Sequence, residues 1–143
     1  MKKNLYYSIA LVASLFVNTA FAQTFVANLS GANETPDPLD TPMGGLGVAL
    51  VTVNDDGSSD ATIIMSAFAN PTAITASHVH RGPAGVGGNV ICPLTGAEFT
   101  NPVIASCHFD PDQTADLFIG NLYLNIHTMD HPGGEIRDQL NPI

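Results

Sequence analysis

Gly47-Val-Ala-Leu-Val-Thr-Val-Asn-Asp-Asp-Gly-Ser-Ser-Asp-Ala-Thr-Ile-Ile-Met-Ser-Ala-Phe68 decides the class of fold. Two apolar runs, 47–54 and 60–68, flank a polar, glycine-containing turn at Asp55-Asp56-Gly57-Ser58-Ser59. In the second run Ile63, Met65 and Ala67 alternate with Thr62, Ile64 and Ser66. A period of two with β-branched residues predicts a strand, and the pair with its turn predicts an antiparallel hairpin. The segment Asn54–Asp60 is rich in carboxylates, but it lacks the spacing and terminal Glu of a calcium-binding EF-hand loop, so a polar turn is expected.

The same short-strand pattern extends in both directions. Strands are expected over 24–29, 74–80, 89–94, 103–109, 123–128 and 135–140. Between the first strand and the hairpin, 32–45 carries Pro36, Pro38 and Pro42 and reads as a long loop that cannot pair regularly. Gly82-Pro83-Ala84-Gly85 and Gly87-Gly88 predict a tight bend. It is no phosphate loop, since no Lys-Ser/Thr and no helix follow. One short helix is expected, with Asp110 as N-cap, Pro111 at its first position and Gly120 just past its end.

The first 22 residues read as a cleaved export signal, with Lys2 and Lys3 ahead of an apolar run from Leu5 to Val17 and then Ala20-Phe21-Ala22. The mature chain would begin at Gln23 and form one domain, 23–143, long enough for a single core. An exported protein, periplasmic or secreted, is expected, with no membrane insertion after cleavage because no later run is long and apolar enough to span. Only Arg81 and Arg137 remain to face 13 acidic residues, a formal charge of −11. That excludes nucleic acid and anionic membranes as partners and suits attraction of cations. An oxidising compartment favours a Cys92–Cys107 bridge; two buried thiols or a soft metal ligand are the alternatives.

The chemistry is concentrated in histidines. In strands, His78 and His80 share a face, as do Tyr123, Asn125 and His127, while Leu122, Leu124 and Ile126 face the core. Three imidazoles with an open fourth position suit Cu or Zn, and His131 is a weaker fourth candidate. The competing reading is a structural network in which His78 and His80 bond backbone carbonyls or Glu135. His108 lacks a motif. Glu34, Asn125, Glu135 and Arg137 are expected around the site, with Arg137 pairing Glu34 or Glu135 to hold the proline-rich loop against the last strand. No catalytic residue is assigned: Gly-x-Ser-x-Gly is missing and Ser77 alternates away from its histidine neighbours.

Three stretches carry a family resemblance: Leu29-Ser-Gly-Ala-Asn-Glu34-Thr-Pro36, His78-Val-His80-Arg-Gly-Pro-Ala-Gly85, and Tyr123-Leu-Asn125-Ile-His127-Thr128 followed by Pro132-Gly-Gly134-Glu135-Ile-Arg137-Asp-Gln139. In this order they resemble the CHRD domain, named for chordin and widespread in exported microbial proteins. Asp138 departs from the pattern, which has Gly between Arg and Gln; it would alter the backbone or add a carboxylate beside Arg137. The resemblance implies an antiparallel Greek-key β-sandwich, immunoglobulin-like or superoxide-dismutase-like. His78 and His80 are similar to the His-x-His of copper/zinc superoxide dismutases, but no bridging histidine and no zinc-loop set follow. The expected function is an exported binding module holding one Cu or Zn ion. A copper redox enzyme of superoxide dismutase type and a metal-free module that binds an extracellular or periplasmic protein are the alternatives. The negative charge opposes the dismutase, whose substrate is an anion.

Overall fold

The computed structural model describes residues 22–69, 73–95 and 99–143. The proposed cleavage signal lies outside the described residues except for Ala22, which opens the first strand. The strands are β1 (Ala22–Ser30), β2 (Gly44–Val53), β3 (Ser59–Phe68), β4 (Ile74–Arg81), β5 (Asn89–Thr95), β6 (Val103–Phe109), β7 (Leu122–Thr128), β8 (Ile136–Gln139) and β9 (Asn141–Pro142). One helix, α1 (Pro111–Phe118), lies between β6 and β7. Asp110 and Gln113 form a reciprocal capping box at its start, and Gly120 takes φ +77° just past its end, where glycine is favoured.

All strand pairings are antiparallel, in the order β5-β4-β7-β8-β1-β2-β3-β6, with β9 beside β1. The expected hairpin is β2–β3, registered from Gly44↔Phe68 to Val53↔Ser59. The sheet rolls until its two edge strands meet, and Cys92 of β5 is bonded to Cys107 of β6 across that seam. The all-β reading holds in the form of one nearly closed antiparallel sheet.

Its interior is apolar. Phe25, Ile63, Met65, Val79, Phe109, Leu122, Leu124, Ile126 and Ile136 are wholly buried. Ile63, Met65 and Ala67 face this core, as alternation predicts, and Thr62 and Phe68 face outward. Gly47 leaves room for Leu124, whose Cδ1 would lie 2.1 Å from an added Cβ. The turn at 54–59 is satisfied internally: Asn54 donates through its backbone N–H to Ser58 O, and Asp56 accepts from the backbone and hydroxyl of Ser58.

The weak place in the sheet is between β8 and β1, which share only the pair Ser30↔Arg137. Asp138 fills it. Its carboxylate accepts from Asn28 N–H at 2.8 Å and from Asn33 Nδ2 at 3.3 Å, replacing ladder bonds the strands do not make. The extra carboxylate is thus a seam element.

Candidate metal centre

The site lies on the outer face of β4, β7 and β8. Since Leu122, Leu124 and Ile126 point into the core, Tyr123, Asn125 and His127 must point out. The neighbouring strand sets His78 opposite Asn125 and His80 opposite Tyr123. His127 stands opposite Ala76, one same-face step beyond Asn125, so it is diagonal to His78. Ring centroids are 4.9 Å apart for His78–His127, 5.4 Å for His78–His80 and 5.8 Å for His80–His127.

Tyr123 and Asn125 are nevertheless 2% and 3% exposed, so β7 is buried on both faces. Loops cover the outer one. The Gly-rich bend after β4 donates its Gly88 N–H to the Tyr123 hydroxyl at 3.0 Å and places Gly88 O 2.9 Å from His80 Nδ1. The turn after β7 places Pro132 O 3.0 Å from His127 Nδ1. A carbonyl only accepts, so each Nδ1 carries the proton and each Nε2 is left as a lone pair.

Those two lone pairs have no protein partner, and neither has His78 Nδ1: His80 Nε2, His127 Nε2 and His78 Nδ1 are all buried and unbonded. One nitrogen from each histidine fits within a set no wider than 4.8 Å. An ion held at about 2.0–2.1 Å requires nitrogens roughly 3.3–3.6 Å apart, so the set would close by about 1 Å on taking one up. Burial, then the neighbouring His127 and His80, lower the pKa of His78. Burial likewise lowers that of His80, with the Gly88 bond opposing and His127 and Arg137 adding to the fall. Both shifts favour the neutral imidazole, the form with a lone pair to offer.

Arg137 supports this arrangement, though not in the expected way. It makes no ion pair with Glu34 or Glu135 among the described residues. Its guanidinium lies 3.5 Å from the centre of the Tyr123 ring, and His80 stacks on that ring at 4.9 Å, 9° from parallel. With β4 and β8 on either side of β7, Tyr123 is layered between the imidazole and the cation. Arg137 donates to Val86 O, Pro83 O and Gln139 Oε1, and Gln139 donates to Gly82 O and Gly120 O. The pair thus pins the Gly-rich bend rather than the proline-rich loop. Main-chain acceptors satisfy a guanidinium in any direction the bend presents them, and they leave no trace in residue types.

The carboxylates divide. Glu135 accepts from Thr128 Oγ1 at 2.8 Å and from Thr41 Oγ1, which ties the proline-rich loop to the end of β7. Its remaining neighbour is His131, with Nε2 3.6 Å from Oε2. His131 is thereby directed to Glu135, and the three-histidine group does not include it. Nor does Glu135 bond His78 or His80. Glu34, 6% exposed, faces Asn125 Nδ2 at 3.5 Å, and its pKa is raised by burial, with Arg137 and Asn125 opposing. Gly134, at φ +136°, admits this pair: an added Cβ would lie 2.7 Å from Glu34 Oε2 and 2.8 Å from Asn125 Nδ2. His108 pairs with Asp60 at the surface. Arg81 pairs with Asp116 of α1.

The model of the CHRD domain matches residues 25–140, and the chain belongs to that family. No curated protein and no solved structure matches the chain. Among the described residues no helix is long and apolar enough to cross a membrane.

Proposed function

We propose that this CHRD-domain protein is an exported binding module whose His78, His80 and His127 hold one Cu or Zn ion. One observation carries the reading. The carbonyls of Gly88 and Pro132 fix two imidazole tautomers so that buried Nε2 lone pairs face a third ring nitrogen, with no donor to satisfy any of them. Buried polar atoms left in this state are costly, and a cation would relieve all three together once His78 presents its Nδ1 lone pair. Backbone carbonyls bonded to the distal nitrogens are also the usual means of orienting metal-bound histidine. Three nitrogen ligands with one open position suit both ions, and the metal would be bound rather than turned over. The disulfide fits an oxidising, extracytoplasmic site of action.

The test is metal loading of the untagged mature protein, residues 23–143, followed by elemental analysis and calorimetry. One equivalent of Cu or Zn should be retained, and His80→Ala or His127→Ala should each lose tight binding. Loading at a hundredfold excess over Kd should stabilise the wild type by about 2.7 kcal/mol. A folded His127→Ala variant that keeps wild-type affinity would refute the shared site and favour a metal-free interaction module.

A further inference from the structure

The same face holds two more buried acceptors without donors. Glu34 Oε1 and Asn125 Oδ1 are unbonded and inaccessible, on side chains 6% and 3% exposed. They line one cleft with His80, Tyr123 and Arg137. Asn125 is also placed by register beside the histidines. It stands directly opposite His78, about 4.5–5.5 Å between Cβ atoms, and one same-face step, about 7 Å, from His127. Asn125 thus stands among the histidines' own strand positions, and Glu34 lies beside it, 3.5 Å from its Nδ2, in the cleft that His80 also lines.

The guanidinium does not offset them as a donor, because its described bonds go to Val86 O, Pro83 O and Gln139 Oε1 and its face is covered by Tyr123. The cleft beside the ion is therefore lined by acceptors at the two points that lack partners. An acceptor-only anion brought there meets lone pairs. A ligand carrying O–H or N–H meets partners for each.

We infer that the cleft is a co-ligand subsite selective for small protic ligands, species that donate hydrogen bonds from the atom bound to the metal or from its neighbour, and against anions. This rests on the three-histidine metal reading and names what shares the ion. Water would fill the position at rest; hydroxylamine is a suitable probe, with a lone pair to ligate and adjacent N–H and O–H donors. Azide is the matched opposite, an anion of similar size without a donor.

The experiment uses the mature protein loaded with Co(II), whose visible d–d bands report coordination without redox change, at pH 8 and without oxygen. Hydroxylamine and azide are titrated separately. The wild type should bind hydroxylamine more tightly than azide by about tenfold or more, the size expected when like-signed groups face each other in a partly buried site. Glu34→Gln removes the charge and introduces an N–H donor, so azide should tighten by about tenfold while the Co(II) spectrum of the unliganded site is kept. Azide binding as tight as hydroxylamine in the wild type overturns the inference, with no variant needed. So does a folded Glu34→Gln protein with unchanged azide affinity. Absence of d–d bands in the wild type would instead defeat the histidine site itself, and the co-ligand with it.

Discussion

Arg137→Ala is the substitution whose cost the structure defines best. The side chain is 2% exposed and among the largest fully buried. Losing a desolvated cation–π contact with Tyr123 removes about 2 kcal/mol. Gln139 Oε1, buried, loses its donor at a further 1–3 kcal/mol or about that. The carbonyls of Val86 and Pro83 belong to a loop and regain water, so they contribute little. Relief of the guanidinium's own desolvation acts the other way and brings the net to about 3 kcal/mol. For a domain of this size that is a fall in Tm of about 10 °C. Urea denaturation of the mature protein, followed by far-UV circular dichroism, measures it as a drop in midpoint at constant m. Arg137→Lys keeps the charge but loses the planar stack and the fork, and should fall between the two. Hydrogen exchange gives a local readout: amides of 82–88 should lose protection in both variants before global unfolding. A midpoint within about 0.5 kcal/mol of the parent, or unchanged exchange in 82–88, would refute the assignment of Arg137 as the pin of that bend.

Reduction or paired replacement of Cys92 and Cys107, which close a loop of 15 residues at the sheet's seam, should lower stability by about 3 kcal/mol. Alkylation followed by intact mass checks the bridge, and native protein with two reactive thiols would end the argument. The apo protein should also lose stability as pH falls below about 6.5, because His78 and His80 have folded pKa values beneath the unfolded one and the unfolded chain takes up protons more readily. Glu34 works in the opposite sense, since its raised pKa favours the folded state on acidification, but only nearer the carboxylate range. Urea midpoints that stay level between pH 7.5 and 5.5 would show that the histidines are solvated and unperturbed.

The strands were legible because alternation in sequence is alternation of faces. Ile63, Met65 and Ala67 on β3, and Leu122, Leu124 and Ile126 on β7, needed only a period of two to be placed in the core. The same rule put His78, His80 and His127 outward together, and adjacency of β4 and β7 then brought them into one group. What residue types did not convey was the second burial of β7. Its outer face looks polar, and only the covering loops make it an interior. The partners that orient the histidines, Gly88 O and Pro132 O, are main-chain atoms with no identity in the sequence. Charge alone directs Arg137 to Glu34 or Glu135, whereas the fold satisfies it with carbonyls and an aromatic ring. Spacing alone groups His131 with His127, yet the turn between them directs it to Glu135.

The last strand shows why these features are coupled. Within four residues β8 supplies Ile136 to the core, Arg137 to the stack on Tyr123, Asp138 to the seam with β1 and Gln139 to the bend at 82–88. None of the four can be displaced without moving the others, because one strand cannot shift register for a single side chain. Tyr123 transmits this to the site: it is held from one side by Arg137 and stacks on His80 from the other, while its hydroxyl takes the N–H of Gly88, whose carbonyl fixes the His80 tautomer. Loss of Arg137 therefore reaches the metal through two routes, the ring and the bend. The proposed ion should bind more weakly in Arg137→Ala although no ligand has changed, and Arg137→Lys, which retains the charge alone, should not restore it.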